Sequence, residues 1–316
     1  MKQFLKYVIL FVSPLILTGV AIEMALRQIP NDYAYKRNYL DENAENIKVL
    51  FLGNSHFYYD INPAYLTSNS FNAAYVSQTW NFDLGILEKY AGKWKNLEYI
   101  IIPADYFSFS VNLETTSEDW RVKDYNIYYG IHTTSNPVYN TELFSNKLKN
   151  NLQRIYSYYF KHDKSLTCSN VGWGTVFSSK TKQDIAHLGE LAAKRHAARG
   201  DRFFDQNIKV LHQILAFAEA RNIKVLLLSL PVYKTYAANL PPAQLDKTIR
   251  VAGEMEKVYK NSSYFNLLND PNFVYDDYYD GDHLNEIGAK KLTKKVDSLI
   301  NLCEKRFTQQ KQLTKK

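Results

Sequence analysis

The most constraining feature of this chain is a series of short apolar runs, each stopped by a breaker or a turn. Ile47–Leu52 ends at Gly53, Glu98–Ile102 at Pro103, and Lys224–Ser229 just before Pro231. Ser70–Ala74 is a shorter run, and Ser263–Leu267 is a weaker one with Asp270 beyond it. Such runs read as strands buried on both faces. Helical spacing fills the intervals. Phe82 to Trp94 turns Leu84, Leu87 and Ala91 inward. Phe204, Ile208, Leu211, Leu215 and Ala218 share one helical face, as do Leu292, Val296, Leu299, Ile300 and Cys303. Alternating strands and helices predict an α/β fold: a flavodoxin-like three-layer sandwich around a parallel sheet of about five strands. Ligands of such sheets sit beyond the carboxyl ends of the strands. The loops after Gly53, Pro103, Pro231 and Asp270 should therefore share one rim.

Lys2 and Lys6 precede a mostly apolar stretch from Tyr7 to Leu26, with no charge in it before Glu23. About 20 residues at helical rise cross a bilayer core. Gly19-Val20-Ala21 leaves a cleaved signal peptide as the competing reading, but apolar character continues to Ala25 and Leu26 and favours an uncleaved anchor. The basic head is an export arrangement, which puts the globular part outside the cytoplasm, periplasmic or at the cell surface. The expected layout is an anchor or signal at 1–28, a stem at 29–46, an α/β domain over 47–305 and a flexible tail at 306–316. Residues 106–201, after the third strand, are too long for a simple crossover and read as an insertion capping the site.

Composition excludes several classes. Apolar residues at 46% against 22% charged rule out a disordered chain. The net charge of +7 is spread without an arginine-rich arm or zinc-finger spacing, so no nucleic-acid partner is expected. The densest basic cluster, Lys290, Lys291, Lys294 and Lys295, lies on the polar side of the last helix. Two cysteines, Cys168 and Cys303, cannot build a cysteine-rich zinc site, and Cys303 falls on an apolar stripe as a buried thiol. An EF-hand starting at Asp276 would need ligands where Tyr278 and Ile287 stand, so that metal reading fails, and no cofactor or metal is expected. The 25 tyrosines cluster near residues 33–39, 125–129, 156–159 and 275–279. They suit either a glycan-binding groove or amphipathic packing under loops.

The chemistry rests on two elements. Ser55 follows a buried strand and Gly53, where a strand-to-loop turn exposes a hydroxyl and aims backbone N–H groups at a developing oxyanion. Asp280 and His283 stand three apart before a helix that Asn285 can cap. At that spacing Asp280 can reach His283 Nδ1, fix the tautomer and leave Nε2 free as a base. His56, adjacent to Ser55, diverges from it and is a pocket residue rather than a base. His187, His196 and His212 fall in helical segments and read as packing or surface residues.

Together, Gly53-Asn54-Ser55-His56 and Asp280-Gly281-Asp282-His283 resemble the nucleophile block and the closing Asp-x-x-His block of the SGNH (GDSL-like) hydrolase superfamily. The resemblance implies Ser55 as nucleophile, His283 as general base and Asp280 as its orienting acid. It covers about residues 47 to 303 without the insertion. Two departures concern the oxyanion hole. The family's second block carries a glycine, whereas Asn72-Ala73-Ala74-Tyr75-Val76-Ser77-Gln78 has none; its third block carries Gly-x-Asn-Asp, whereas this chain has Pro103-Ala104-Asp105-Tyr106. Ser77 is the candidate backbone donor, and Asn54, Gln78, Asp105 and Tyr106 are further oxyanion or pocket candidates. Losing one such donor costs about 3 kcal/mol of transition-state stabilisation.

With an N-terminal anchor, these departures look like the SGNH branch that acylates cell-envelope polymers, as in alginate O-acetylation and teichoic-acid D-alanylation. That resemblance implies a serine O-acyltransferase or O-acylesterase, a glycan or other polymer acceptor, and a multi-spanning membrane O-acyltransferase as partner. The other reading is a non-catalytic glycan-binding or scaffold protein that keeps the same frame.

Overall fold

The computed structural model describes residues 1–197 and 200–313, and the side chains of the last helix as far as Phe307. The chain divides into two compact units: Met1–Asn38 with Ser117–Thr167, and Tyr39–Thr116 with the chain from Cys168 onward.

The larger unit holds a five-stranded sheet: β1 (Val49–Phe51), β2 (Ser70–Asn72), β3 (Tyr99–Pro103), β4 (Lys224–Ser229) and β5 (Ser262–Asn266). Their order is β2-β1-β3-β4-β5 and every pair is parallel, the flavodoxin-like arrangement. Register keeps the carboxyl ends level: Phe51 faces Asn72 and Ile101, Pro103 faces Leu228, and Ser229 faces Asn266. The loops after β1, β2, β3 and β4 therefore emerge on one rim. Successive strand residues turn to opposite faces. Val49, Phe51, Tyr99, Ile101, Leu226 and Leu228 pack with Leu292, Val296, Ile300 and Cys303 of the helix Glu286–Leu313. The helix Phe204–Glu219 packs beside β4, with Phe204, Leu211, Leu215 and Ala218 buried as its spacing predicted.

Three features differ from the sequence reading. The helix expected over 82–94 runs from Trp80 to Lys89, and the Trp94 indole folds back to donate to the Leu87 carbonyl at 2.9 Å. Helices at Asp32–Asn43 and Pro242–Val258 had not been anticipated. The last helix continues through Leu313, past the expected start of the tail at residue 306, and residues 314–316 lie outside the described residues.

The insertion is divided. Residues 117–167 join the N-terminal segment in the smaller unit, and the remainder from Cys168 belongs with the sheet. Within the smaller unit, the helix Lys2–Gln28 has a mean hydropathy of 2.2 in its most apolar 18-residue window, none of it buried. It is the one such helix among the described residues. At about 1.5 Å per residue it exceeds a hydrocarbon core of about 30 Å. Its final turns are fastened: Glu23 accepts the backbone N–H groups of Glu142 (3.1 Å) and Leu143 (2.8 Å), and Arg27 donates to the Asn140 carbonyl (2.9 Å).

The smaller unit buries a cluster of ion pairs beside Leu26, Val122 and Tyr125. Lys123 pairs with Asp124 and, at 3.1 Å, with Glu142, which also receives Arg154 (2.9 Å) and the Tyr128 hydroxyl (2.8 Å). Burial alone would raise the Glu142 pKa, but Lys123 and Arg154 outweigh it and bring it to about 2. Tyr33, Tyr125 and Tyr129 are buried here, with Tyr33 edge-on to Tyr125 at 5.3 Å. Tyr125 and Tyr129 pack inside, and Tyr33 also lines a cavity of about 370 Å³ with Trp120, Arg121, Arg154 and Tyr158.

Candidate active site

Backbone geometry places Ser55 first. Gly53 has φ +118°, and a Cβ there would lie 2.3 Å from Pro103 Cδ, so the turn out of β1 admits only glycine. Asn54 then caps the short helix Ser55–Asp60, its Oδ1 accepting the His56 N–H at 3.0 Å. Ser55 is the first residue of that helix, and its N–H has no intrahelical acceptor.

The Asp-x-x-His turn is fixed in the same local way. Asp280 Oδ1 accepts the N–H groups of Asp282 (3.1 Å) and His283 (2.8 Å), which curls the turn around the carboxylate. Asn285 caps the following helix, accepting from Ile287 (2.9 Å) and Gly288 (3.1 Å). Gly281 makes the closest approach: a Cβ on it would sit 2.0 Å from Gly189 Cα in the helix Ile185–Ala197.

The two elements meet at the rim. His283 Nε2 lies 2.9 Å from Ser55 Oγ, and His283 Nδ1 lies 3.1 and 3.2 Å from the two Asp280 oxygens. An ionised carboxylate can only accept. Nδ1 therefore carries the proton toward Asp280, and Nε2 presents its lone pair to the serine hydroxyl. These distances are those of a nucleophile, a base and an orienting acid. Burial disfavours the charged imidazole, but Asp280 and then Asp282 outweigh it, and the His283 pKa is raised.

An aromatic wall holds the His283 ring. Tyr59 stacks on Phe177 (3.8 Å), Phe177 stacks on Tyr279 (4.0 Å), and Tyr59 and Phe177 meet the His283 ring edge-on at 5.7 and 5.2 Å. Phe177 comes from the part of the insertion that stays with the sheet. That segment is tied down by the Trp173 indole, which donates to the Tyr59 carbonyl, and by Ser179, whose N–H and hydroxyl both donate to Glu286. Phe177 and its neighbours from residue 168 onward thus pack beside His283.

Most of the oxyanion candidates are committed elsewhere. Asn54 Nδ2 donates to Asp105 Oδ2 at 3.2 Å. Gln78 Nε2 donates to Asp83, which is fully buried and whose pKa burial pushes up to about 7. The Tyr106 hydroxyl donates to Gln244 at 2.7 Å. Asp105 accepts from Asn54 and from the Leu230 N–H (3.2 Å), so it ties loops together and donates nothing. The reading of Gln78, Asp105 and Tyr106 as oxyanion donors is corrected accordingly, whereas Asn54 Nδ2 keeps a second N–H beyond the one given to Asp105. Ser77 has φ +60°, a conformation glycine favours, in the turn closed by Gln78 N–H to the Tyr75 carbonyl. Tyr75 N–H donates to the Gly53 carbonyl at 3.0 Å, which sets that turn beside the nucleophile loop. The backbone N–H groups of Ser55 and Ser77 remain as candidate donors.

His56 also departs from expectation. It is 1% exposed. Its Nδ1 faces Asp105 at 3.2 Å and its Nε2 faces Asp282 at 3.6 Å. Its ring meets His283 edge-on at 5.0 Å. One ligand atom each from His56, Asp282 and His283 come within 4.8 Å of one another. Both His283 nitrogens are nevertheless engaged, by Asp280 and Ser55, so the group is a hydrogen-bond and charge network rather than a metal centre. Beneath it, Asp60 accepts the Leu284 N–H at 2.9 Å, and burial raises its pKa well above the carboxylate range despite His283 and His56. His196, half expected on the surface, is buried with Nδ1 2.8 Å from the Tyr236 hydroxyl. Asp60, Asp83, Phe177 and Asp282 carried no sequence signal of their own; only Asp282 could have been suspected, from its place beside His283.

No family model and no curated protein matches the chain. Among solved structures it is similar to a protein from Streptococcus pneumonia described as a candidate platelet activating factor, at 12% identity and TM-score 0.42, over 92% of this chain and 98% of the other. It is similar to a candidate acylhydrolase from Bacteroides fragilis at 12% identity and TM-score 0.38, over 87% and 99% of the two chains. A GDSL-like lipase from Bacteroides thetaiotaomicron is similar at 14% identity and TM-score 0.37, over 85% and 99%. The strand order, the serine after β1 and the Asp-x-x-His turn before the last helix stand where the sequence resemblance to the SGNH (GDSL-like) blocks expects them.

Proposed function

We propose that this protein is a membrane-anchored SGNH-type serine O-acylesterase or O-acyltransferase acting on a cell-envelope or exported glycan. The observation that carries the acyl chemistry is the 2.9 Å approach of His283 Nε2 to Ser55 Oγ, with Asp280 on the opposite nitrogen. Ser55 Oγ attacks the acyl carbonyl while His283 takes its proton. Asp280 steadies the imidazolium, and the Ser55 and Ser77 N–H groups face the oxyanion. On collapse, His283 returns the proton to the departing alkoxide and the acyl group stays on Ser55. An acceptor hydroxyl, or water, then gives its proton to His283 and takes the acyl group, and His283 returns that proton to Ser55 Oγ as the Ser55–acyl bond breaks. Acceptor identity alone separates transfer from hydrolysis.

The anchor reading is supported by the length of the apolar helix Lys2–Gln28 and by apolar character that continues past Gly19-Val20-Ala21 to Ala25 and Leu26. The extracytoplasmic placement rests on the basic head before the apolar helix, and the glycan acceptor and a multi-spanning acyltransferase partner rest on the family resemblance. The test is release of acetate from an acetylated glycan, and its transfer to a deacetylated one, by the full-length protein in detergent. Activity that Ser55→Ala abolishes is expected; undiminished activity in that variant would end the proposal.

A further inference from the structure

The buried network around His56 has no part in the proton transfers above, yet it touches the base. Asp105 comes from the turn after β3, Asp282 and His283 from the loop before the last helix, and Asp60 from the helix that carries His56. On the remaining side Phe107 packs between His56 (5.1 Å) and His196 (4.3 Å), and His196 is bonded to Tyr236. Among the described residues, the only ion-pair partners of Asp105 and Asp282 are histidines. Neither His56 nitrogen has directed hydrogen-bond geometry, so its contacts are those of a charge between two carboxylates.

Asp282 stands where it could compete with Asp280. Its Oδ1 stops 3.7 Å from His283 Nδ1, beyond hydrogen-bonding distance, while Asp280 holds the same nitrogen at 3.1 Å. Its other oxygen is turned to His56.

We propose that His56 is a positioning residue, a buried positive charge clamped between Asp105 and Asp282 that keeps Asp282 from closing on the catalytic base His283. This rests on the reading of Ser55, His283 and Asp280 as the catalytic set. The consequence is control over when His283 is free to accept a proton. Two carboxylates on one imidazole would hold it protonated and idle as a base, and the His56 charge, 5.0 Å away, opposes that. The burial and charge pattern agrees. Burial opposes a charge on His56, but Asp105 and Asp282 outweigh it and raise its pKa well above the usual value. Burial raises that of Asp282, but His283 and His56 overcome it and hold it below the carboxylate range.

The test is the rate at which a fluorophosphonate labels Ser55 in the full-length protein in detergent, measured from pH 5 to 9. The acid limb of that profile reports the proton on His283. His56→Gln removes the charge and releases Asp282, so the limb should move to higher pH by about two units, as expected for a unit charge at this distance in a protein interior. Asp282→Asn should move it the opposite way by a similar amount. A variant that merely loosened packing would lower the rate at every pH without moving the limb. Limbs unmoved in both variants, with Ser55 still labelled in the parent protein, would overturn this proposal alone. A parent protein that is not labelled at any pH would remove the catalytic reading and this one with it. Should His56→Gln fail to fold, Asp282→Asn decides: a downward shift supports the proposal and an unmoved limb refutes it.

Discussion

Gly281→Ala should disable the site without touching any reacting group. A Cβ on Gly281 would lie 2.0 Å from Gly189 Cα, 2.3 Å from Gly189 N and 3.0 Å from the Ile185 carbonyl oxygen. All three are backbone atoms of one helix, so no side chain can rotate out of the way. Ordinary carbon contacts are about 3.5–4.0 Å, so the loop and helix must part by roughly 1.5 Å. That loop carries Asp280 on one side and Asp282 and His283 on the other, and a displacement of about 1 Å at a reacting group costs about 100-fold. Overpacking itself costs about 1–3 kcal/mol, against a total stability of about 5–15 kcal/mol, so the variant should still fold. The assay pairs kcat/KM for p-nitrophenyl acetate with thermal unfolding. The expected result is a loss of about 100-fold or more, with a Tm lowered by a few degrees. Undiminished kcat/KM would refute the claim that this glycine contact sets the position of the base.

Three further outcomes follow from individual residues. Gly253→Ala, in the helix Pro242–Val258 where a Cβ meets nothing closer than Tyr264 Cδ1 at 4.0 Å, should stabilise by about 0.5–1 kcal/mol and raise Tm. Asp280→Asn should lower kcat by roughly 10³- to 10⁴-fold, because an amide can favour the wrong imidazole tautomer, and circular dichroism should show the fold kept. Asp83, its pKa pushed up to about 7 by burial, keeps a proton in the folded state that the unfolded chain releases near its ordinary value. Its contribution is complete at low pH and lost as pH rises toward 7, by roughly 4 kcal/mol at most. Asp83→Asn should therefore raise Tm at pH 8 and leave it nearly unchanged at pH 4.

The sheet was legible because its strands are buried on both faces and so carry unbroken apolar runs; each lies within two residues of its expected limits. The helix Asp32–Asn43 was not, because its buried face is Tyr33, Lys36 and Leu40 and offers no aliphatic stripe. The helix Pro242–Val258 begins at a proline pair that reads as a break, although proline at the first helical position is a helix start. Ser55, Asp280 and His283 were legible because each sits in a local turn whose residues announce it. The surroundings were not. Whether Gln78 is free depends on Asp83, whether His56 faces solvent depends on Asp105 and Asp282, and Phe177 arrives from a loop with no periodicity. Those are facts of tertiary packing, invisible to spacing.

The most direct measurement is the mass of the intact full-length protein after exposure to a fluorophosphonate, with peptide mapping of the adduct. A single adduct on Ser55, absent from Ser55→Ala and strongly slowed in His283→Ala, is the predicted result. A folded protein that takes no adduct, or takes one elsewhere, would contradict the claim that Ser55, His283 and Asp280 form an acyl-transfer site.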